Sequence, residues 1–411
     1  FFQAEDGIRD KGMWTGVQTC ALPIFMPNRP LRVAILCDML EERWESMDLI
    51  GRVLTDEVSK LSGIEATRVC PPMRRRFSNE QSTPGVGFTA DRLLNRMWDY
   101  PRYVSTLQDQ YDVFHVIDHS YSQLVHKLPA SRTIVTCHDI DTFRSVVTPL
   151  EQRSIPFRAM TRHILSGLKC AAHVACASET TRDQLLQYDL LPQEKLHVVL
   201  NGLDAAFSAN PDHAADNAAA KLLGTEQHLD ILHVGTTIPR KRIDVLLRTF
   251  AGVAASYPEA RLVRVGGDLT QEQVELAQQL GISERVVTLP RLELSTLAAV
   301  YRRAALTLIP SEREGFGLPL AESLGCGTPV LASDIPALRE VGSTAAQYAP
   351  VGEVNTWVEE VNALLHQKNS QPVAWEERRA QGIARATNFS WKNYAEQMAA
   401  LYLQTAKEDI Q

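Results

Sequence analysis

The sequence lacks several features that would assign it to a broad class of protein. It contains no apolar run of the roughly 18 residues that a membrane-spanning helix requires. Positive charge is not in excess, because 42 lysines and arginines stand against 49 acidic residues, so a binding surface for nucleic acid is not expected. The seven cysteines include no CxxC pair, and most lie in apolar stretches. We therefore expect core thiols in a reducing, cytoplasmic compartment, with neither disulfides nor a metal site.

What is present is the composition of a globular protein. Hydrophobic residues make up 45% of the 411 residues and charged residues 22%, which excludes wholesale disorder. At about 150 residues for each domain, this length predicts two or three domains, each large enough to bury a core.

The first 25 residues differ from the rest. They contain none of the parts of a signal peptide. The strings QAEDGIRD and TGVQTCALPI resemble the translation of a common sequencing-library adapter. We expect residues 1–25 to be a non-native scar and Met26 to be the natural start; a disordered natural tail is the alternative.

Apolar runs alternate with helical patterns from residue 31 to about residue 203. The first run, 31–38, is continuously apolar, as expected of a strand buried on both faces. Later strand-like runs are separated by helices predicted over 157–171 and 179–188. This alternation predicts a doubly wound parallel sheet.

The alternation stops over 205–228, which is rich in Ala, Asn and Asp without apolar periodicity, and then restarts. We predict that this stretch is the start of a second domain or an interdomain segment. The chain is thus predicted to be an α/β protein with two tandem Rossmann-like domains, 26–204 and 205–388, that face a cleft. A final helix is predicted over 389–411. Ligands of such sheets lie beyond the carboxyl ends of the strands.

The strongest candidate site follows the strand-like run that ends at Ser311. Glu314 and Glu322 lie eight positions apart, the first before a predicted helix and the second about one turn inside it, so both can face the cleft. Carboxylates accept hydrogen bonds from the paired hydroxyls of a sugar or ribose, although two surface glutamates would give the same pattern. Glycines at the turn and a proline at the helix start let a ligand approach free backbone N–H groups. The turn and helix start contribute four candidate residues for binding this ligand, Gly315, Phe316, Gly317 and Leu318.

A second candidate site follows the strand that ends at Gly235 and Thr236. Arg240, Lys241 and Arg242 begin a predicted helix, although cations normally favour helix C-termini. Three cations at an N-terminus are unfavourable unless an anion binds there, so this segment indicates a diphosphate site. A solvated basic turn is the alternative.

Residues 230–350 resemble the donor domain of family 4 glycosyltransferases, which have the GT-B fold. The E-x7-E motif, the Pro-Arg-Lys segment and the GTPVLASD strand match in order, and weaker similarity covers most of the chain. The resemblance implies that a sugar is transferred from a nucleotide diphosphate sugar with retention of anomeric configuration, without a metal or another cofactor. It implies that Lys241 and Arg240 contact the donor diphosphate. It further implies that Glu314 contacts the donor sugar and that Glu322 binds the ribose.

Residues 389–402 resemble the final helix of the family, which implies that the helix over 389–411 crosses back onto the first domain.

The first domain matches the family more weakly. His138 follows a strand and matches a position that contacts the donor sugar, although a lone histidine there is more often structural. Two departures concern the phosphates: paired glycines are absent after the first strand, and Gly235 is followed by Thr236 where many members have arginine. Arg240 is the candidate replacement for that arginine. Residues 139–141 spell D-x-D, the metal motif of another glycosyltransferase fold, but their setting disfavours a metal.

The segment 71–104 is basic, with six arginines against three acidic residues. It is a candidate for peripheral contact with anionic lipid at the inner face of the membrane, or with a lipid-linked acceptor. A solvated flexible loop is the alternative. Within it, GVGFTA (85–90) fits a dinucleotide-binding pattern, but no strand precedes it, and we predict a loop there.

These observations together predict a retaining glycosyltransferase. Its second domain would bind the nucleotide-sugar donor, and its first domain would hold a glycan, lipid-linked or small-molecule acceptor. A GT-B sugar-nucleotide epimerase or phosphorylase and a catalytically silent partner subunit are the alternatives. The donor sugar, its base, the acceptor and the oligomeric state are left open by the sequence.

Overall fold

The computed structural model describes residues 29–79, 85–148, 153–226 and 228–409. The adapter-like segment 1–25 lies outside the described residues, as do 80–84 of the basic segment.

The first sheet is built from six strands: β1 (Leu31–Leu36), β2 (Ile64–Val69), β3 (Val113–Val116), β4 (Thr133–Cys137), β5 (His173–Cys176) and β6 (Leu196–Val198). All neighbours are parallel, in the order β2-β1-β3-β4-β5-β6. Every residue of β3, β4 and β5 is buried, because helices cover both faces of the sheet. This explains the continuous apolar runs in the sequence.

The second sheet repeats this design with β7 (Leu229–Val234), β8 (Ala260–Val265), β9 (Val286–Leu289), β10 (Leu306–Ile309), β11 (Val330–Ser333) and β12 (Gln347–Ala349). The order is β12-β11-β10-β7-β8-β9, again entirely parallel. The predicted α/β fold with two doubly wound sheets is therefore confirmed.

Fifteen α-helices lie in the described part of the chain. Those between residues 45 and 224 are α1 (Glu45–Val58), α2 (Val86–Leu94), α3 (Tyr100–Ser105), α4 (Arg144–Val147), α5 (Ile155–Cys170), α6 (Glu179–Gln187) and α7 (His213–Leu223). Those after residue 240 are α8 (Ile243–Ser256), α9 (Gln271–Gln279), α10 (Leu294–Arg303), α11 (Leu318–Gly325), α12 (Pro336–Gly342), α13 (Val354–Ser370), α14 (Pro372–Ala386) and α15 (Trp391–Glu408). Across the described ranges, none of the helices has both the length and the apolar character to cross a bilayer.

The structure differs from the sequence prediction at 205–228, where it contains helix α7. The buried face of α7 consists of Ala215, Ala219 and Leu223, spaced four residues apart. Alanine is a weak hydrophobic signal but the strongest helix former, so a search for apolar periodicity missed this face. The Asp212 carboxylate caps the helix by accepting hydrogen bonds from the N–H groups of Ala214 and Ala215.

The predicted loop at 85–90 is also wrong, because α2 begins at Val86 and continues into a π-helical stretch, Asn95–Asp99. Buried Asp91 orders the chain before it by accepting hydrogen bonds from the backbone N–H groups of Arg76 and Ser78. The described part of the basic segment is therefore structured, and the alternative of a flexible loop does not apply to it.

Helix α15 packs against the first domain. Its Trp391, Met398 and Tyr402 lie in one buried cluster with Val33 of β1 and Ile50 of α1. The Tyr402 hydroxyl lies 2.7 Å from Nδ1 of buried His115 in β3. The end of the chain thereby ties the first sheet to the helices of the second domain.

Candidate functional site

The two domains meet where the carboxyl ends of their strands face each other. Gly315, in the turn after β10, lies so close to the loop after β4 that a Cβ on it would be 2.1 Å from the carbonyl oxygen of His138. Only glycine fits this approach. The Ser178 hydroxyl donates a hydrogen bond of 2.7 Å to the Gly315 carbonyl from the first domain. Gly315, which was predicted to let a ligand approach the backbone, therefore also lets the first domain pack closely against the second.

A buried ion cluster lies beside this contact. Lys241 Nζ donates to Oε1 of Glu314 at 2.6 Å, and Arg240 Nη1 donates to Oε2 at 3.0 Å. The Glu314 side chain is 6% exposed. Burial would raise the pKa of Glu314, but the charges of Lys241 and Arg240 outweigh it and lower the pKa to about 2. The structure thus brings Glu314 against two adjacent cations that lie more than 70 positions earlier in the sequence.

The local fold explains why two cations, and not three, reach Glu314. Arg240 and Lys241 lie in a single 3-10 turn, Pro239–Lys241. Arg242 then adopts a left-handed conformation with φ of 49°, and α8 begins after it. The Arg242 guanidinium pairs with Asp244 at 2.8–2.9 Å, so it is directed away from the cluster.

Glu322 lies one turn inside α11 and is half-buried. Its Oε2 accepts a hydrogen bond of 2.9 Å from the hydroxyl of Tyr301 in α10. Burial raises the pKa of Glu322 to about 7, against the opposing effects of Tyr301 and of the Lys241 charge. Tyr301 was not predicted from the sequence, because nothing in the motif points to a residue 21 positions earlier.

The residues between the two glutamates play different parts. Gly317 has a φ of 101° and is the N-cap residue of α11. Phe316 is buried and packs edge-on against Phe389 at 5.5 Å between ring centroids. Leu318 packs on the same cluster. The side chains of Phe316 and Leu318 therefore serve the core, and only their backbone is available to a donor.

His138 lies opposite Gly315, at the end of β4. Its Nε2 lies 2.8 Å from the Ile117 carbonyl oxygen, so that nitrogen carries the proton. Burial lowers the pKa of His138, although the Asp118 charge opposes the effect. A neutral imidazole therefore faces the cleft.

A buried arginine on the neighbouring strand fixes the loop after β7. Arg264 of β8 is completely buried, and its Nη2 donates to the carbonyl oxygen of Gly235 at 2.7 Å. His233 lies beside it, and burial, with the charges of Arg264 and Lys241, lowers the pKa of His233 to about 3. Thr236 follows Gly235 and is half-buried. The chain has no arginine directly after Gly235. Arg264, on the neighbouring strand β8, instead binds the Gly235 carbonyl oxygen and fixes the same loop.

Further polar contacts hold the domains together. Asp141 of the first domain faces Arg240 Nε at 3.5 Å and Arg313 Nε at 3.7 Å. The Glu340 carboxylate of α12 accepts hydrogen bonds from the N–H groups of Glu179 and Thr180 at the start of α6. A carboxylate at a helix N-terminus is stabilised by the helix dipole.

A cavity of about 1260 Å³ opens from this contact into the first domain. His138, Asp139 and Asp141 line its inner wall, and Arg240 and Ile238 contribute from the second domain. The cavity provides space for an acceptor next to the predicted donor residues.

The comparisons with known proteins agree with this architecture. Residues 216–388 match the family model of glycosyl transferases group 1, and residues 54–207 match that of Glycosyltransferase Family 4. Together the two matches cover about four fifths of the chain.

The chain is also similar to curated glycosyltransferases. It is 32% identical over 229 residues to the D-inositol 3-phosphate glycosyltransferase of Segniliparus rotundus, covering 53% of this chain and 49% of that protein. The enzyme of the same name from Nocardia farcinica is 34% identical over 245 residues, covering 56% and 51%. The chain therefore spans about half the length of the curated relatives it matches.

Solved structures share the fold over nearly the whole chain. Sucrose-phosphate synthase from Thermosynechococcus elongatus superimposes with a TM-score of 0.71 at 19% identity, covering 91% of this chain and 98% of that one. Anabaena HepE in complex with UDP-glucose gives 0.69 at 16% identity, covering 91% and 100%. From the two family matches and this architecture, the chain belongs to the family 4 glycosyltransferases and has the GT-B fold.

Proposed function

We propose that the protein transfers a sugar from a nucleotide diphosphate sugar to an acceptor, with retention of anomeric configuration and without a metal ion. The observation that carries this proposal is the buried cluster of Lys241, Arg240 and Glu314, beside the point where Gly315 contacts the His138 loop. A nucleotide-sugar donor is supported further by the HepE structure, which holds UDP-glucose on the same fold.

The reaction follows from where charge develops. When the bond between the anomeric carbon and the phosphate oxygen breaks, negative charge grows on the diphosphate. Lys241 and Arg240 stabilise this charge, and their positions are fixed in advance by Glu314. The acceptor oxygen bonds to the anomeric carbon from the same face, and its proton passes to the departing phosphate oxygen, so that a separate protein base is not required.

The remaining residues orient the donor. Glu322 accepts hydrogen bonds from the ribose hydroxyls. Because its carboxylate is shielded from water, the ionised form is unfavourable unless such hydrogen bonds are made. Glu314 and His138 contact the sugar on opposite sides of the domain contact. Closure of the two domains expels water, which protects the donor from hydrolysis.

The acceptor lies in the cavity of the first domain. D-inositol 3-phosphate, which appears in the name of the curated relatives, is the first small acceptor to test.

Peripheral contact with a membrane through the basic segment 71–104 is part of the proposal, and the exposed side chains of Phe77 and Val86 support it. Sedimentation with anionic vesicles tests this part, and equal sedimentation of the F77S and V86S variants would contradict it.

A thermal-shift screen over nucleotide sugars tests the donor site. A ligand at 100 times its Kd stabilises the folded state by about 2.7 kcal/mol, so the correct donor raises the melting temperature. The Glu322→Gln variant, which lacks the carboxylate assigned to the ribose, is the control and should show a smaller shift. A screen in which no nucleotide sugar raises the melting temperature would contradict the proposal.

Two alternatives keep the same fold. An epimerase or phosphorylase would convert or phosphorolyse the donor without a sugar acceptor, and a silent partner subunit would bind the donor without turnover. Slow hydrolysis of the donor by the isolated protein would exclude the silent subunit. A requirement for a sugar-like acceptor would exclude the epimerase and the phosphorylase.

A further inference from the structure

The cavity of the first domain has two unlike walls. The wall next to the second domain is polar and consists of side chains at the ends of β3 and β4, namely Asp118, His119, His138 and Asp139. The other wall is mostly apolar and comes from α2, the π-helical stretch and α5. Its apolar residues are Leu93, Leu94, Met97, Trp98, Phe157 and Met160.

The apolar wall is unusual because its side chains are exposed. Of the thirteen large hydrophobic side chains that are exposed in the described part of the chain, six line this cavity: Trp44, Leu93, Leu94, Trp98, Phe157 and Ile238. Trp98 is 56% exposed and Leu93 48%. Exposed apolar side chains gathered at one site mark a binding surface, whereas single ones scattered over a protein do not.

Arginines also line this wall, namely Arg92, Arg96 and Arg153. Arg153 lies over the ring of Phe157, and the guanidinium of Arg96 lies over Tyr121 and donates to the Ser120 carbonyl oxygen. Long arginine stems extend an apolar surface while the charged group stays in water. The π-helical stretch that carries Trp98 adds to the argument, because such bulges occur frequently at functional sites.

The polar wall offers a hydrogen-bond donor and an acceptor, buried His119 and half-buried Asp139. His119 is 4% exposed, and its Nδ1 accepts a hydrogen bond from the His138 N–H at 3.3 Å. A proton is therefore on Nε2, which has no hydrogen-bond partner among the described residues and lies 3.6 Å from Asp139 Oδ1. A hydroxyl can accept from His119 and donate to Asp139 at the same time.

We propose that the cavity binds an amphiphilic acceptor, whose hydroxyl-bearing head lies against His119 and Asp139 and whose apolar chain lies along Leu93, Trp98 and Phe157. This inference rests on the proposed function, because only a sugar transferase needs an acceptor here. The volume of about 1260 Å³ exceeds that of a typical small-molecule pocket, about 300–1,000 Å³, and leaves room for a chain beyond one sugar ring.

Binding of n-alkyl β-D-glucosides, measured by titration calorimetry below their micelle concentrations, tests the proposal. Each added methylene from methyl to octyl should tighten binding about fourfold, which corresponds to about 0.8 kcal/mol for a buried CH₂. Affinities that stay within twofold across the series would overturn the proposal in favour of a fully hydrophilic acceptor.

Matched variants locate the effect. Leu93→Ser should weaken octyl glucoside binding about tenfold and leave methyl glucoside binding unchanged, and Trp98→Ser should act in the same direction. Leu222→Ser is the control, because Leu222 is a similarly exposed helical leucine, at 43%, outside the cavity. Equal weakening by Leu222→Ser would show non-specific association with detergent and overturn the proposal.

Vesicles of phosphatidylglycerol separate the two sources of such an acceptor. If it is anchored in lipid, wild-type protein sediments with the vesicles and Leu93→Ser does so less; if it is a soluble amphiphile, chain-length dependence occurs without sedimentation. Because calorimetry needs no turnover, the outcome is independent of the donor. Chain-length dependence in a protein that binds no nucleotide sugar would refute the proposed function and keep the cavity assignment.

Discussion

Glu314 is kept ionised by its two cationic partners, and this has consequences for stability. Its pKa is lowered from 4.5 to about 2, so the ionised group stabilises the folded state at neutral pH. That contribution is complete above pH 4.5 and is lost as the pH falls through about 2.

Replacement of Lys241 should remove one of the two cations that pair with Glu314 and one of the two charges proposed to stabilise the leaving group. Lys241→Ala is expected to lower kcat about 100- to 1,000-fold, as found when one group that stabilises a transition-state charge is removed. Steady-state kinetics below the melting temperature of the variant measure this. Lys221→Ala, an exposed lysine on α7, is the control, and a near-normal kcat for Lys241→Ala would assign the diphosphate to other residues.

The contribution of Glu322 to stability depends on pH in the opposite direction. Its pKa is raised from 4.5 to about 7, so the folded state binds this proton more tightly than the unfolded state does. Stability from this group is complete below pH 4.5 and decreases as the pH rises to about 7.

Glu322→Gln should therefore stabilise the protein above pH 7 and have little effect at pH 4.5. The expected gain is up to about 3 kcal/mol, since each tenfold change in proton affinity corresponds to about 1.4 kcal/mol. Urea unfolding at pH 4.5 and pH 8 measures the difference. A loss of stability at pH 8 would mean that the buried carboxylate is better paired than the structure indicates.

The two glutamates should also differ in kinetics. A ribose contact exists in both ground and transition states, so Glu322→Gln should raise the donor KM more than it lowers kcat. In the proposed function Glu314 contacts the sugar that distorts during transfer, so Glu314→Gln should act mainly on kcat. Both are measured at saturating acceptor. If Glu322→Gln abolishes kcat at unchanged donor affinity, the roles are reversed, and if neither variant changes either parameter, the donor-site assignment fails.

At the scale of secondary-structure elements, the turn before α11 controls how closely the domains approach. A Cβ at residue 315 would lie 2.1 Å from the His138 carbonyl oxygen, so Gly315→Ala must move the domains apart by about 1 Å. A displacement of that size can reduce a rate about 100-fold, and we expect such a fall in kcat/KM with a small rise in the radius of gyration.

Gly382→Ala is the matched control for this substitution. Gly382 lies in α14 of the second domain, and a Cβ there would meet Leu324 Cδ2 at 3.1 Å, away from the domain contact. If Gly315→Ala turned over like the wild type, the close contact between the domains would not belong to the reactive state.

At the scale of the whole molecule, residues 1–25 are predicted to add nothing to the fold. They resemble a translated adapter and lie outside the described residues. A protein that starts at Met26 should melt at the same temperature and have the same kcat as the full chain. A large fall in melting temperature would show that the segment is native structure.

The sequence by itself determined the two-sheet architecture, because strand runs and helix faces are written in local periodicity. It also placed Glu314, Lys241 and His138 in segments that follow strands, where parallel sheets bind ligands, and Glu322 in the helix after one of those segments. It missed α7, because the buried face of that helix consists mainly of alanine.

Only the tertiary structure decided how these residues act. The partner of Glu322 is Tyr301, the support of Gly235 is Arg264 from the next strand, and the start of α6 is capped by Glu340 from the other domain. These contacts join residues 21 to 161 positions apart. Their pairing depends on how whole elements pack, and burial, which sets the ionisation of both glutamates, exists only after packing. For the same reason the apolar wall of the acceptor cavity became visible only when α2, the π-helical stretch and α5 were seen together.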